Sequence, residues 1–117
     1  VLDARDASVR DVSKEDLMNA VTIRKEETAH GGRYVATVAG KPGEAELTFA
    51  AQGAGRISAD HTIAPAALRG TGAALALVEH MVEDARKAGF KIVPVCSYVV
   101  AQFERHPEWH DVMADGA

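Results

Sequence analysis

His61-Thr62-Ile63-Ala64-Pro65-Ala66-Ala67-Leu68-Arg69-Gly70-Thr71-Gly72-Ala73-Ala74-Leu75-Ala76-Leu77 is the stretch on which the fold turns. A β-branched run from Ile57 to Ile63 stops at Pro65, a loop carries Arg69-Gly70-Thr71-Gly72, and an amphipathic helix starts at once. Ala74, Leu77, Val78, Met81, Val82 and Ala85 recur at helical spacing and make one apolar stripe. Glu79, Glu83, Asp84, Arg86 and Lys87 fall on the other face, and Gly89 suits the left-handed residue that ends a helix. Strand, glycine loop and helix aim several backbone N–H groups and the positive helix end at one point. The occupant that suits such a point is an anion, most often a phosphate.

Working back towards the N-terminus, four strands are expected in hairpin order. Val21, Ile23 and Lys25 alternate with Thr22, Arg24 and Glu26, as in a half-buried strand. His30-Gly31-Gly32 reads as a turn, Tyr34 to Val38 as a second strand, and Gly40-Lys41-Pro42-Gly43 as another turn. Glu44 to Ala50 and Arg56 to Ile63 follow as the third and fourth strands, separated by Gln52-Gly53-Ala54-Gly55. Beyond the helix, Lys91 to Cys96 is a fifth strand, parallel to the fourth because a helix intervenes. Ser97 is the expected N-cap of a last helix, Tyr98 to Arg105, which His106-Pro107 ends. The expected fold is α+β: a single mixed, mostly antiparallel sheet of about five strands in the order β-β-β-β-α-β-α. Residues 1–20 read as a charged N-terminal extension, with a short helix at Lys14 to Ala20 behind Ser13 and Asp16. Residues 21–112 form the domain and 113–117 a C-terminal tail.

A chain of 117 residues with 47% hydrophobic and 26% charged side chains suits one globular domain. Net charge −4 and pI near 5.7 argue against a nucleic-acid footprint or an anionic membrane surface. No apolar run reaches the ~18 residues of a membrane span. Cys96 is the sole cysteine, which excludes an internal disulfide and fits the reducing cytoplasm.

These features resemble the GNAT superfamily of acyl-CoA-dependent N-acetyltransferases, in element order, in the strand ending Ile63-Ala64-Pro65, and in Arg69-Gly70-Thr71-Gly72-Ala73 at a helix start. More narrowly, His61-Thr62-x-x-Pro65, Gly70-x-Gly72-x-Ala74, Pro94-x-Cys96-x-Tyr98 and His106-Pro107-Glu108 resemble its smallest single-domain members, the YjdJ-like proteins. The likeness runs from Val21 to Val112. It departs at Ala67, where the superfamily loop starts with Gln or Arg, which leaves the phosphates to backbone amides. It departs again at Ala64, where the small subgroup usually has valine.

What the resemblance implies is acetyl-CoA as co-substrate and no metal. Leu68, Arg69, Gly70, Thr71, Gly72 and Ala73 would cradle its diphosphate. Thr62, Ile63 and Ala64 would meet the pantetheine arm through their backbones, where the fourth and fifth strands splay. Cys96 is either an acyl-accepting nucleophile or a small apolar residue packed at the strand end. Tyr98 is either the acid that protonates the departing thiolate or a core tyrosine. His61, near the open end of the fourth strand, is either the base for the amine or a structural histidine. His106 and His110, with Glu108 and Asp111, superficially suggest metal ligands, but Pro107 breaks the helix between them. The expected activity is direct acetyl transfer from CoA to an amine of unknown identity, by a monomer or homodimer. The alternatives are an acyl-CoA-binding module without significant transfer, and a protein-interaction domain.

Overall fold

The computed structural model describes residues 21–53 and 55–114. The N-terminal extension with its expected helix, and residues 115–117, lie outside the described part. Strands β1 (Val21–Thr28), β2 (Gly31–Val38), β3 (Ala45–Gly53) and β4 (Arg56–Ile63) come first. A 3-10 turn (Ala66–Leu68), helix α1 (Ala73–Ala88), β5 (Lys91–Pro94), helix α2 (Ser97–Arg105) and a closing 3-10 turn (Pro107–Val112) follow. The first four strands form an antiparallel meander, and β5 adds to β4 in parallel. This is the α+β order expected.

One face of the sheet carries the core. Tyr34, Ala36, Leu47, Phe49 and Ala59 project into it and meet Leu77, Val78, Met81, Val82 and Ala85 of α1. Val99 and Phe103 of α2 join the same cluster. Each fully buried aliphatic there contributes about 1.5–3 kcal/mol. Trp109 closes the C-terminal end, edge-on to Phe103 at 5.8 Å and stacked on His106 at 4.0 Å. The opposite face carries ion pairs: Arg24 with Glu26 and Glu44, and Arg33 with Glu26 and Glu46. Such exposed pairs add roughly 0–1 kcal/mol each and chiefly keep that face wetted.

Four details differ from expectation, each for a local reason. Gly31 and Gly32 belong to β2 rather than to a turn. A Cβ at either would strike the backbone of a neighbouring strand, at Phe49 or Glu26, so the glycines permit close pairing. Asp84 leaves the solvent face of α1 because the buried Tyr34 hydroxyl donates to it at 2.7 Å and Lys25 pairs with it at 2.8 Å. β5 stops at Pro94 because the amides of Val95 and Cys96 both donate to the Ala59 carbonyl. The chain turns there, so Cys96, not Ser97, caps α2.

The fourth detail matters most. Thr48 pairs with His61 but Phe49 with Ala59, so Asp60 is an extra residue in β4, a β-bulge. Simple alternation puts His61 and Ile63 on the face of Ile57 and Ala59. After the bulge they point the other way, and Thr62, in register with the buried Leu47, faces the helices.

Candidate active site

The site forms where β4 and β5 part. Their pairing runs from Arg56 with Lys91 to Ala59 with Pro94 and then ends. Beyond Ala59, β4 keeps β3 on one side, through His61, Thr62 and Ile63, while β5 has already turned into α2. Among the described residues, the other edge of this segment pairs with no strand. Pro65 then diverts the chain into the 3-10 turn, whose buried Leu68 pins the loop to the core.

Past that anchor, Gly70 and Gly72 both adopt left-handed backbone, φ 78° and 85°. A Cβ on either would meet nothing within 4 Å, so the glycines serve the turn and leave the space before it open. Gly72 caps α1 without a side-chain hydrogen bond. Ala76 makes the first helical bond, to the Gly72 carbonyl, and the Thr71 hydroxyl accepts the Ala73 amide at 3.3 Å. Among the described residues, the amides of Gly70, Gly72, Ala74 and Leu75 reach no protein acceptor. The first turn holds no acidic side chain that would neutralise the helix end.

These amides border a groove of about 410 Å³. Thr62 and Ala64 line it on the strand side, Leu68, Arg69, Gly70, Gly72 and Ala73 in the loop, and Tyr98 on α2. The structure therefore gathers eight of the residues singled out in the sequence around one opening. Thr71 is turned to its own loop, donating to the Leu68 carbonyl. Ile63 points to the outer face and is 57% exposed, so it meets the opening only through its backbone. Unpaired amides at a helix start, beside an unpaired strand edge, fit a ligand with an anionic group at one end and amides along its length.

The Cys96 thiol sits behind the groove and donates to Thr62 Oγ1 at 3.4 Å. Burial pushes this thiol up, but the Thr62 hydroxyl and the Val99 and Tyr98 amides outweigh it and hold it below its ordinary value. Tyr98 moves the opposite way. Burial raises it, and the charges of Glu79 and Cys96 add to this against the opposing Arg105, so the phenol keeps its proton. His61 is exposed on the face away from Thr62, and the bulge puts it there. Among the described residues, no carboxylate or imidazole lines the groove.

The histidine-rich C-terminus is engaged elsewhere. His106 Nδ1 pairs with Glu108, His110 Nε2 meets the Phe103 carbonyl, and Asp111 takes a two-pronged contact from Arg86. Among the described residues, no group of three or more His, Cys, Asp or Glu converges as metal ligands would. No described helix is long and apolar enough to cross a membrane. Two lining residues were not assigned to the cradle, Ala74 and Leu75, the second and third of α1. Ala74, read as the start of the buried stripe, lines the opening instead because Ala73 takes the core position. Counting onward from Gly72 finds them, since the first helical amides always lack internal partners.

No curated protein matches the chain in sequence. The family model for GCN5-related N-acetyl-transferase matches residues 33–112, from β2 to the closing turn. That match takes in the parted strands, the glycine loop and the start of both helices, and with it the chain belongs to the GCN5-related N-acetyl-transferase family.

Proposed function

We propose that the protein is an acetyl-CoA-dependent N-acetyltransferase that passes the acetyl group directly to an amine. The observation that carries this reading is the meeting of unpaired α1 amides with the unpaired edge of β4 in one groove. The amides of Gly70, Gly72, Ala74 and Leu75 would hold the diphosphate, with Arg69 adding a charged contact. The β4 backbone from Thr62 to Ala64 would pair with the amides of the pantetheine arm. A backbone N–H in that stretch, near Ile63, would polarise the thioester carbonyl.

Acetyl-CoA supplies the activated acyl carbon. The amine nitrogen would bond to that carbon as the carbon–sulfur bond breaks; Tyr98, which retains its proton, would give it to the leaving sulfur and regain one from the nitrogen through solvent. Direct transfer leaves Cys96 no covalent role: Cys96→Ala keeps turnover within about tenfold, whereas an acyl-cysteine route would lose it altogether. Isothermal titration with acetyl-CoA tests the binding step. Saturable binding that Gly72→Glu weakens at least ~100-fold is expected, since that side chain brings bulk and a negative charge to the cradle. No saturable binding to the parent protein defeats the proposal.

The absence of a carboxylate or imidazole from the groove lining favours a second reading, an acyl-CoA-binding module without significant transfer. CoA release measured across a panel of amines separates the two: binding without release supports the module.

A further inference from the structure

We infer that the acceptor is a primary amine on an apolar body, its ammonium against Asp60 and its chain along Val95 and Ile63. This rests on the transferase reading above and adds the kind of amine. Among the described residues, the exposed large hydrophobic side chains are Ile63, 57% exposed, and Val95, 58% exposed. Single exposed aliphatics are ordinary on a surface, but these two border the same gap. The Val95 amide bonds the Ala59 carbonyl at the apex of the parting, and Ile63 stands at the lip of β4.

On β4, between Ala59 at the apex and Ile63 at the lip, comes the bulge residue Asp60, half-buried and, among the described residues, in no ion pair. The neighbouring carboxylates Glu44 and Glu46 are already occupied by Arg24 and Arg33. An uncompensated carboxylate between two bare aliphatic groups complements a cation attached to an apolar chain, and not a molecule with several charges. Among the described residues no carboxylate or imidazole lines the groove, and the imidazole next to Asp60 is His61, on the outer face. In the balanced step the ammonium gives one proton to His61, the nitrogen bonds to the acyl carbon and the carbon–sulfur bond breaks. The sulfur takes the Tyr98 proton, and the second proton released by the nitrogen returns to the Tyr98 oxygen through solvent.

The test measures kcat/KM of the full chain for n-hexylamine, spermidine and lysine amide at saturating acetyl-CoA. Hexylamine is expected to lead by at least ~10-fold. Val95→Ser, alone and combined with Ile63→Ser, should remove that lead while Val95→Ser keeps the parent affinity for acetyl-CoA. Asp60→Asn should raise KM for hexylamine more than it lowers kcat. A preference for spermidine or lysine amide, or a lead untouched by the serine variants, overturns the inference alone. Failure to bind acetyl-CoA overturns the transferase reading and this one with it. If acetyl-CoA binds and no amine turns over, hexylamine is titrated into the CoA-loaded protein by amide NMR. Shifts at Asp60, Ile63 and Val95 then support the subsite, and their absence overturns it.

Discussion

Helix α1 is bracketed by two glycines with nearly the same backbone, Gly72 at φ 85° and Gly89 at φ 84°, yet its two ends are finished in opposite ways. At the C-terminus the Gly89 amide returns to the Ala85 carbonyl at 2.8 Å. Nearby, Arg86 clamps Asp111 and the Glu108 carbonyl, and Lys91 holds the Asp111 carbonyl. At the N-terminus the Thr71 hydroxyl takes only the Ala73 amide, and among the described residues four amides in and beside the first turn are left over. A left-handed glycine is thus equally good at sealing a helix end and at exposing one. The difference lies in whether the next segment returns to cover it, as β5 does after Gly89.

The sharpest way to break this contrast is to fill the open end. Gly72→Glu should cost acetyl-CoA affinity ~100-fold or more, about 2.7 kcal/mol by titration, beside a folding cost of about 1 kcal/mol for a Cβ in left-handed backbone. Next comes the lower half of α1, held to the sheet by Asp84. Replacing Asp84 with Asn leaves the buried Tyr34 hydroxyl without its charged acceptor and should cost about 1.5–3 kcal/mol in urea unfolding. Although burial opposes it, the contacts from Lys25 and Tyr34 hold the Asp84 carboxyl below its ordinary value. Its stabilisation is therefore present above the unfolded value of about 3.9 and is lost as pH falls through the lower folded-state value. The Asn variant should lack that part of the acid transition.

A smaller effect sharpens the comparison from the sealed side. Gly89→Ala places a Cβ in left-handed backbone and should lower stability by about 1 kcal/mol, with acetyl-CoA affinity unchanged. The smallest expected change concerns the start of α2. Alkylation of Cys96 should show a midpoint below that of a free thiol, and Thr62→Val should move it upward.

The contrast also explains what was legible in the sequence. Period-two alternation in β1 and β3, the 3.6-residue stripe of α1 from Leu77 to Ala85, and Gly72 and Gly89 at its ends are local signals that fold as they read; only the first stripe position differs, Ala73 being buried in place of Ala74. The glycine loop is legible for the same reason, being contiguous from Leu68 to Ala73. Features that depend on a neighbouring strand are not. Gly31 and Gly32 look like a turn until β1 and β3 press against them. Asp84 looks like a solvent residue until Tyr34 arrives from β2. The placement of His61 opposite Thr62 depends on β3 pairing with β4 one residue out of step, which no window on β4 alone reveals.

That offset has an unexpected corollary. The inward letters of β4 are odd-numbered at Ile57 and Ala59 and even-numbered at Thr62 and Ala64, as in a text with one inserted character. Excising Asp60 would rejoin the two frames without turning any side chain over, and would remove only the bend with which the strand leaves its parallel neighbour. A chain one residue shorter would keep its interior, with His61 still on the outer face and Thr62 still turned inward.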